Sequence, residues 1–477
     1  VKRLFFLPKN NKMKRLLIVL FAAFITISLS GQTNKPGEIT PEILKSLQKN
    51  AEHTPENTAL TNAISNNDIQ NLALSRSNMG KVDKYISNRV STKGITDQKS
   101  SGRCWLYTGL NVIRARVIQK NDMESFELSQ TYPFFYDQLE KANLFLEGII
   151  QTTDKPLDDK RVEWLLKNPI GDGGQWTGVA DLLEKYGLVP AEIMPDTKNS
   201  EATRWMSKML ARKLRKQAIE IRKLAASGTN ESDLRTKKIA MLSDIYSILV
   251  RTLGEPPRTF EWRYKNAKGE LSELKSYTPI SFYNDFVNED VNDYVMLMND
   301  PSREYYKLYE IDYDRHVYEG GNWKYINLPA NEIKPFAKAS ILENEAMYFS
   351  CDVGKQLNKD EGTLDINNYD YNDLFGVDFD MSKTERIQTF SSGSTHGMSL
   401  VGVDLTPGGE IRKWLLENSW GPKAGFDGYL IMTDRWFDEY MFRLVIKKKY
   451  ISPGVLEILK TTPIMLPPWD PMFLPEE

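Results

Sequence analysis

The periodicity of the chain changes along its length, and that change restricts the fold more than any other feature. From residue 104 to 119, Leu106, Leu110, Ile113 and Val117 recur at the spacing of one helix face. Residues 202 to 253 are strongly helical and basic, with eleven Lys and Arg against four Asp and Glu between 201 and 240. Past about residue 345 the pattern becomes that of strands. AMYFSCDV, SLVGVDL, KWLLENSW and GYLIM are short, apolar and separated by turn residues. Helices early and strands late, rather than in alternation, are the order of an α+β protein. The expected class is therefore α+β: a helical half, a β-rich half and a large helical insertion. No internal repeat is present.

The ends of the chain read differently. From Met13 the sequence runs MKRLLIVLFAAFITISLSGQ: two basic residues, an apolar run from Leu16 to Leu29, then small residues. This is the pattern of an export signal with a cut near Ser30–Gly31, and residues 1–12 read as upstream translation or an alternative start. A membrane anchor is the competing reading, but the run is short for a span. Residues 31–80 are rich in Asn, Thr, Ser and Pro and read as a loosely ordered extension with one short helix near Pro41–Asn50. The expected division is 1–30 leader, 31–80 extension, 81–190 helical half, 191–285 helical insertion, 286–449 remainder of the core with the β-rich half, and 450–477 C-terminal arm.

With only Cys104 and Cys351, a disulfide framework is excluded, though a single bridge is not. The setting of Cys104, DQKSSGRCWLYTG at 97–109, is informative. A cysteine in the first turn of a helix feels the positive end of the helix dipole, which favours thiolate. Ser-Ser-Gly-Arg before it predicts an accessible turn. A thiolate nucleophile needs a proton partner, normally histidine. The chain has His53, His316 and His396. His396 lies in SSGSTHGMSLVGVD, directly before a strand, and ENSWG follows, where Asn418 is placed to orient an imidazole. Cys351 reads as a buried strand residue outside any disulfide, because pairing with Cys104 would remove the nucleophile. His316 receives no role, and His53 reads as an exposed polar residue. No metal-ligand cluster or cofactor motif is present, and none is expected.

QKSSGRCW at 98–105, THGM at 395–398 and ENSWG at 417–421 together resemble the papain-like cysteine peptidases. GDGGQWTGVADLLEKYGLVP, NDPSREYYKLYEI, FSCDVGK, MTDRWFDEY and PPWDPM narrow the resemblance to the bleomycin hydrolase and aminopeptidase C branch, from about residue 80 to the end. The resemblance implies a papain-like two-part core, with Cys104 on the central helix and His396 and Asn418 on the β-rich half. It implies Cys104 as nucleophile, His396 as its imidazolium partner and later proton donor, and Asn418 as the residue orienting the ring. Trp420 would shield that hydrogen bond. Gln98 and the Cys104 N–H would form the oxyanion hole. Gly173 and Gly174 match glycines that line the substrate.

In this family the C-terminal arm lies in the cleft, where its terminal carboxylate, here on Glu477, meets the substrate's α-amino group. The ending FLPEE departs from the small-residue ending of the family. The expected activity is that of an exported, periplasmic or secreted cysteine aminopeptidase acting on peptides with a free N-terminus. An exported endopeptidase is the first alternative. Some relatives form hexameric barrels, so a homohexamer is expected, with no membrane span in the mature chain. A basic channel binding nucleic acid is the alternative of another class. A net charge of −2 gives no global basic field, no base-reading motif is present, and charged faces of long helices are usually solvated surface.

Overall fold

The computed structural model describes residues 35–50 and 54–473. The expected leader, the cut near Ser30–Gly31, His53 and Glu477 lie outside these residues. Two compact units divide the chain between Leu72 and Ala73.

The described part of the first unit is more helical than its composition suggests. Pro41–Asn50 is a helix as expected, and Pro55–Asn66 is another. The second is set by local chemistry alone. The Thr54 hydroxyl accepts from Asn57 N, Pro55 opens the first turn, and no side chain of the helix is buried.

The second unit is built around the helix Cys104–Lys120. The sequence predicts one apolar face, but every residue from Cys104 to Ile118 except Arg116 is buried. A helix covered on all sides belongs in the middle of a molecule. Burial of an aliphatic side chain such as Leu106, Leu110, Ile113 or Val117 contributes about 1.5–3 kcal/mol. Polar residues on the other faces are paired instead. Asn111 Nδ2 donates to Thr96 Oγ1 (2.9 Å), and Arg114 Nη2 donates to Glu417 Oε1 (2.8 Å) and Gly94 O (3.0 Å).

Trp176–Tyr186 packs against this helix and against Thr131–Ile150, and the two long helices that follow, Arg204–Ala226 and Glu231–Leu253, pack on Thr131–Ile150 and on each other. Leu210, Leu214 and Ile221 on one long helix and Ile245 and Leu249 on the other are fully buried. Of their basic residues, Arg204, Lys208, Arg212, Lys216, Lys223 and Lys237 are exposed, and others make local pairs. Lys238 and Arg235 pair with Glu147, Lys213 pairs with Asp244, and Arg215 and Arg222 donate to backbone carbonyls. This combination of exposed charges and local pairs is that of a solvated helix surface. The insertion is not helical throughout: it closes with the hairpin Phe260–Trp262 and Lys275–Tyr277.

The opposite side is a mixed twelve-stranded sheet. Its central strands run Tyr294–Met298, Met441–Lys447, Met347–Cys351, His396–Leu405, Ile411–Glu417, Tyr429–Thr433. The four expected strands are all there. The strand region begins earlier than residue 345, because Tyr294–Met298, Lys307–Ile311 and Lys324–Asn327 join the same sheet. The last two are short and start with Lys, so their apolar signal is weak. His396–Leu405 is buried along almost its whole length, which is why its middle reads as mostly apolar rather than alternating. In the C-terminal arm, Ile464–Leu466 pairs parallel with Lys307–Ile311. Beyond it, Asp470 pairs with Arg303, and Arg443 Nη2 donates to Met472 O (2.7 Å). No described helix is long and apolar enough to cross a membrane.

Candidate active site

The turn before Cys104 is shaped by Asp97. Lys99 takes a left-handed φ of 56°, and Asp97 accepts from both its backbone N (2.9 Å) and its Nζ (2.6 Å). Lys99 and Ser100 are exposed, but the chain then dives inward. Ser101 and Gly102 are buried, Arg103 is 0% exposed, and so is Cys104. The accessible turn read from the sequence thus ends short of the cysteine. The inward pull has identifiable partners: Gly102 N donates to Asp172 Oδ2 (2.9 Å), and Arg103 Nη1 reaches Asp196 (3.2 Å). Cys104 opens its helix, and Arg103 at the cap position supplies no side-chain acceptor, so the helix N–H groups remain the local electrostatic environment. Neither Cys104 nor Cys351 is in a disulfide, and Cys351 is a buried strand residue.

His396 begins the strand that runs along this helix. Its register partner on the neighbouring strand is Cys351, and three residues on, Ser399 Oγ donates to Thr108 O (3.5 Å), one helical turn past Cys104. The imidazole Nε2 lies 2.8 Å from Asn418 Oδ1. Ser419 N also donates to that atom (2.8 Å), which identifies it as the carbonyl oxygen. Nε2 therefore carries the hydrogen, and in the neutral ring Nδ1 keeps its lone pair. Trp420 stacks on the ring, with centroids 4.8 Å apart and planes at 28°. His396 and Asn418 are 2% and 1% exposed. Burial pushes the imidazole down to about 4, against the opposing effect of the Asn418 hydrogen bond. The ring is thus neutral near pH 7 until a negative charge is set beside it. It lines a cavity of about 470 Å³ together with Asp352, Lys355, Thr395 and Trp420.

Gln98 is bolted to the same corner. Its N donates to Ser419 O (2.8 Å), its Oε1 accepts from Ser419 Oγ (2.6 Å), and its Nε2 donates to Ser101 O (2.7 Å). One hydrogen of Nε2 is engaged there, and the amide has a second. Asp97 and Trp420 form an adjoining β-bridge. Segments far apart in the sequence, 97–104 and 417–421, are therefore in direct contact.

Gly173 and Gly174 are buried and line a second cavity, also of about 470 Å³, whose other walls include Phe145, Leu165, Tyr313 and the arm residues Pro468–Pro471. The arm thus borders the glycine pair, while Glu477 lies outside the described residues. A side chain on Gly174 would overlap His316 and Trp105, so packing behind the segment already requires glycine there.

Sequence reasoning passed over two supports. Glu417, inside the ENSWG motif, is 1% exposed and paired with Arg114, which ties the strand leading to Asn418 onto the helix of Cys104. Burial raises the Glu417 pKa and the Arg114 guanidinium opposes that rise. Asp172 holds Gly102 N and the Thr203 hydroxyl through Oδ2, while its carbonyl accepts from Trp105 Nε1 (2.8 Å). The signals were an acid next to a functional motif and an acid inside a glycine turn. Among the described residues no group of His, Cys, Asp and Glu is arranged to hold a metal.

Residues 38–473 match the model of the peptidase C1-like family. Aminopeptidase G of Lactobacillus delbrueckii subsp. lactis is 38% identical over 433 residues, covering 91% of this chain and 99% of the relative. Human bleomycin hydrolase is 37% identical over 429 residues, 88% of this chain and 94% of the relative. The crystal structure of PepW from Lactobacillus rhamnosis superposes with a TM-score of 0.89 at 36% identity, covering 92% of this chain and all of that one. The helical half, the sheet and these similarities agree: the chain belongs to the peptidase C1-like family, as a papain-like cysteine peptidase of the aminopeptidase C and bleomycin hydrolase group.

Proposed function

We propose that the protein is an exported cysteine aminopeptidase that removes N-terminal residues from peptides through an acyl-enzyme on Cys104. The observation that carries this reading is the His396–Asn418 hydrogen bond under Trp420, fixed to Gln98 through Ser419. His396 Nδ1 takes the Cys104 proton as sulfur attacks the N-terminal carbonyl, and the imidazolium then protonates the leaving amine. Asn418 keeps the ring turned with Nδ1 outward. Gln98 Nε2 and the Cys104 N–H receive the charge that develops on the carbonyl oxygen. Water, activated by the neutral ring, releases the acyl group.

Restriction to the N-terminus is assigned to the arm. It borders the cavity of Gly173 and Gly174, and the carboxylates of Glu477 lie a few residues beyond Pro471. A substrate ammonium would pair with a carboxylate there, and an acetylated peptide would leave it without a partner. Export rests on residues 13–30, and a homohexamer on family resemblance alone.

The deciding experiment digests one peptide with and without N-terminal acetylation and sequences the products. Stepwise loss of residues from the free peptide only is expected, and deletion of 473–477 should relax that selectivity. Internal cuts in the acetylated peptide by the intact protein would establish the endopeptidase instead.

A further inference from the structure

Behind the glycine segment lies a buried charged cluster for which the reaction above has no use. Asp137 and Lys141 stand one turn apart on the helix Thr131–Ile150, and Asp137 is 0% exposed. Lys141 Nζ sits 2.9 Å from Asp137 Oδ2 and donates to Gly173 O (2.6 Å) and Gly171 O (3.2 Å). Its three hydrogens are thereby directed. Gln138 Nε2 donates to Asp137 Oδ2 (3.0 Å) and to Gly171 O (2.8 Å). On the other side, Asp137 Oδ1 lies 2.6 Å from Nδ1 of the buried His316. The His316 ring meets the Trp105 indole edge-on, at 4.8 Å and 81°. Trp105 is the residue after Cys104.

The charges balance. Burial alone would raise Asp137, but Lys141 and His316 outweigh it and hold the carboxyl below its ordinary value. Burial, reinforced by the Lys141 ammonium, lowers His316, so the imidazole is neutral beside an Asp–Lys ion pair. The cluster also fixes shape. Side chains on Gly174 and Gly178 would both overlap the His316 ring. A planar trans peptide sends its C=O and the following N–H in opposite directions. Tethering Gly173 O to Lys141 therefore aims Gly174 N–H away from the cluster.

We propose that Asp137, Lys141 and His316 form a positioning unit that fixes the backbone of 171–174 and the Trp105 indole, and so sets where the acyl portion of a substrate lies against the cleft wall. The proposal rests on the reading of Gly173 and Gly174 as substrate-lining residues of a Cys104 peptidase.

Gly178→Ala tests it, because it displaces His316 without touching a charge. The charge-balanced pair Asp137→Asn with Lys141→Met is the second variant. The measurements are kcat and KM on an aminoacyl amide, the rate of Cys104 alkylation by iodoacetamide, and the thermal midpoint. Both variants should raise KM about tenfold or more, with kcat within about threefold and alkylation within about twofold of the parent. His316→Gln, whose amide still reaches toward Asp137, should lie nearer the parent than His316→Ala. That last comparison decides the matter if the charge-balanced variant does not fold. Folded variants with the parent's KM, or with kcat and alkylation lowered at constant KM, would overturn the proposal alone. A parent protein neither active nor alkylated at Cys104 would overturn the peptidase reading, and this proposal with it.

Discussion

His396 and His316 are both buried imidazoles held below their ordinary pKa by burial, yet their partners differ in kind. Both line cavities, but His396 has a neutral amide, Asn418, as partner. His316 has a carboxylate, Asp137, whose charge Lys141 already balances. A neutral partner orients a ring without fixing its charge, so in the proposed reaction His396 is free to become an imidazolium as the Cys104 thiolate forms. A closed carboxylate–ammonium pair leaves His316 nothing to exchange. The contrast separates a group suited to moving a proton from one suited to holding a shape.

The comparison breaks most sharply on turnover. Cys104→Ala or His396→Ala should lower kcat by about 10⁶-fold, the scale found when a nucleophile or its base is removed. His316→Gln should leave kcat within about tenfold. Single-turnover assays on an aminoacyl amide check this. Equal losses at the two histidines would erase the distinction.

A second break concerns stability. His396 titrates near 4 in the folded protein and near 6.5 when unfolded. The unfolded chain therefore binds this proton first as the pH falls. The contribution is complete above about 6.5 and is lost on going down to 4, at most about 3 kcal/mol. Unfolding free energies of the parent and His396→Gln, from urea titrations between pH 7 and 4, should shift relative to one another by that amount, the parent losing stability. A pH-independent difference would show that the ring is not held neutral by burial.

Gln98 sharpens the comparison on the His396 side. Gln98→Ala should lower kcat by about 10²-fold with KM little changed, as expected for a donor aimed at the transition state. A rise in KM at constant kcat would make it a substrate-binding residue instead.

What the sequence disclosed followed from signal type. Cys104, His396 and Asn418 sit in short motifs whose chemistry survives translation into a list of residues, and the sheet strands at 347–351 and 396–405 are buried apolar runs. The His316 cluster was illegible because its members are distant in sequence and each looks ordinary alone. Asp137 and Lys141, one turn apart among the aromatic and aliphatic residues of 131–150, were the visible trace, since charges on a buried helix must be paired. The depth of Cys104 was also hidden. Ser-Ser-Gly predicts a turn, but the inward pull comes from Asp172 and Asp196, far along the chain. Glycine at 174 matches a substrate-lining position of the family, and His316 beside it independently requires the absence of a side chain.

The smallest expected effect on rate tests the contrast most directly. Asn418→Asp gives His396 the kind of partner His316 already has. Asn418 Nδ2 makes no hydrogen bond to a protein atom, so exchanging it for oxygen breaks none. The contacts of Oδ1 with His396 Nε2 and Ser419 N are kept. A carboxylate at this distance stabilises the imidazolium, and its own burial limits the gain. The acid limb of the kcat/KM profile, which reports groups of the free enzyme, should therefore move upward by about one pH unit. Turnover near pH 7 should stay within about tenfold of the parent, because the ring keeps its orientation. An acid limb that does not move would mean that the carboxylate is itself protonated in this pocket. The neutral amide would then be dictated by burial at this corner, and the protonation of His396 would owe nothing to the charge of its orienting partner.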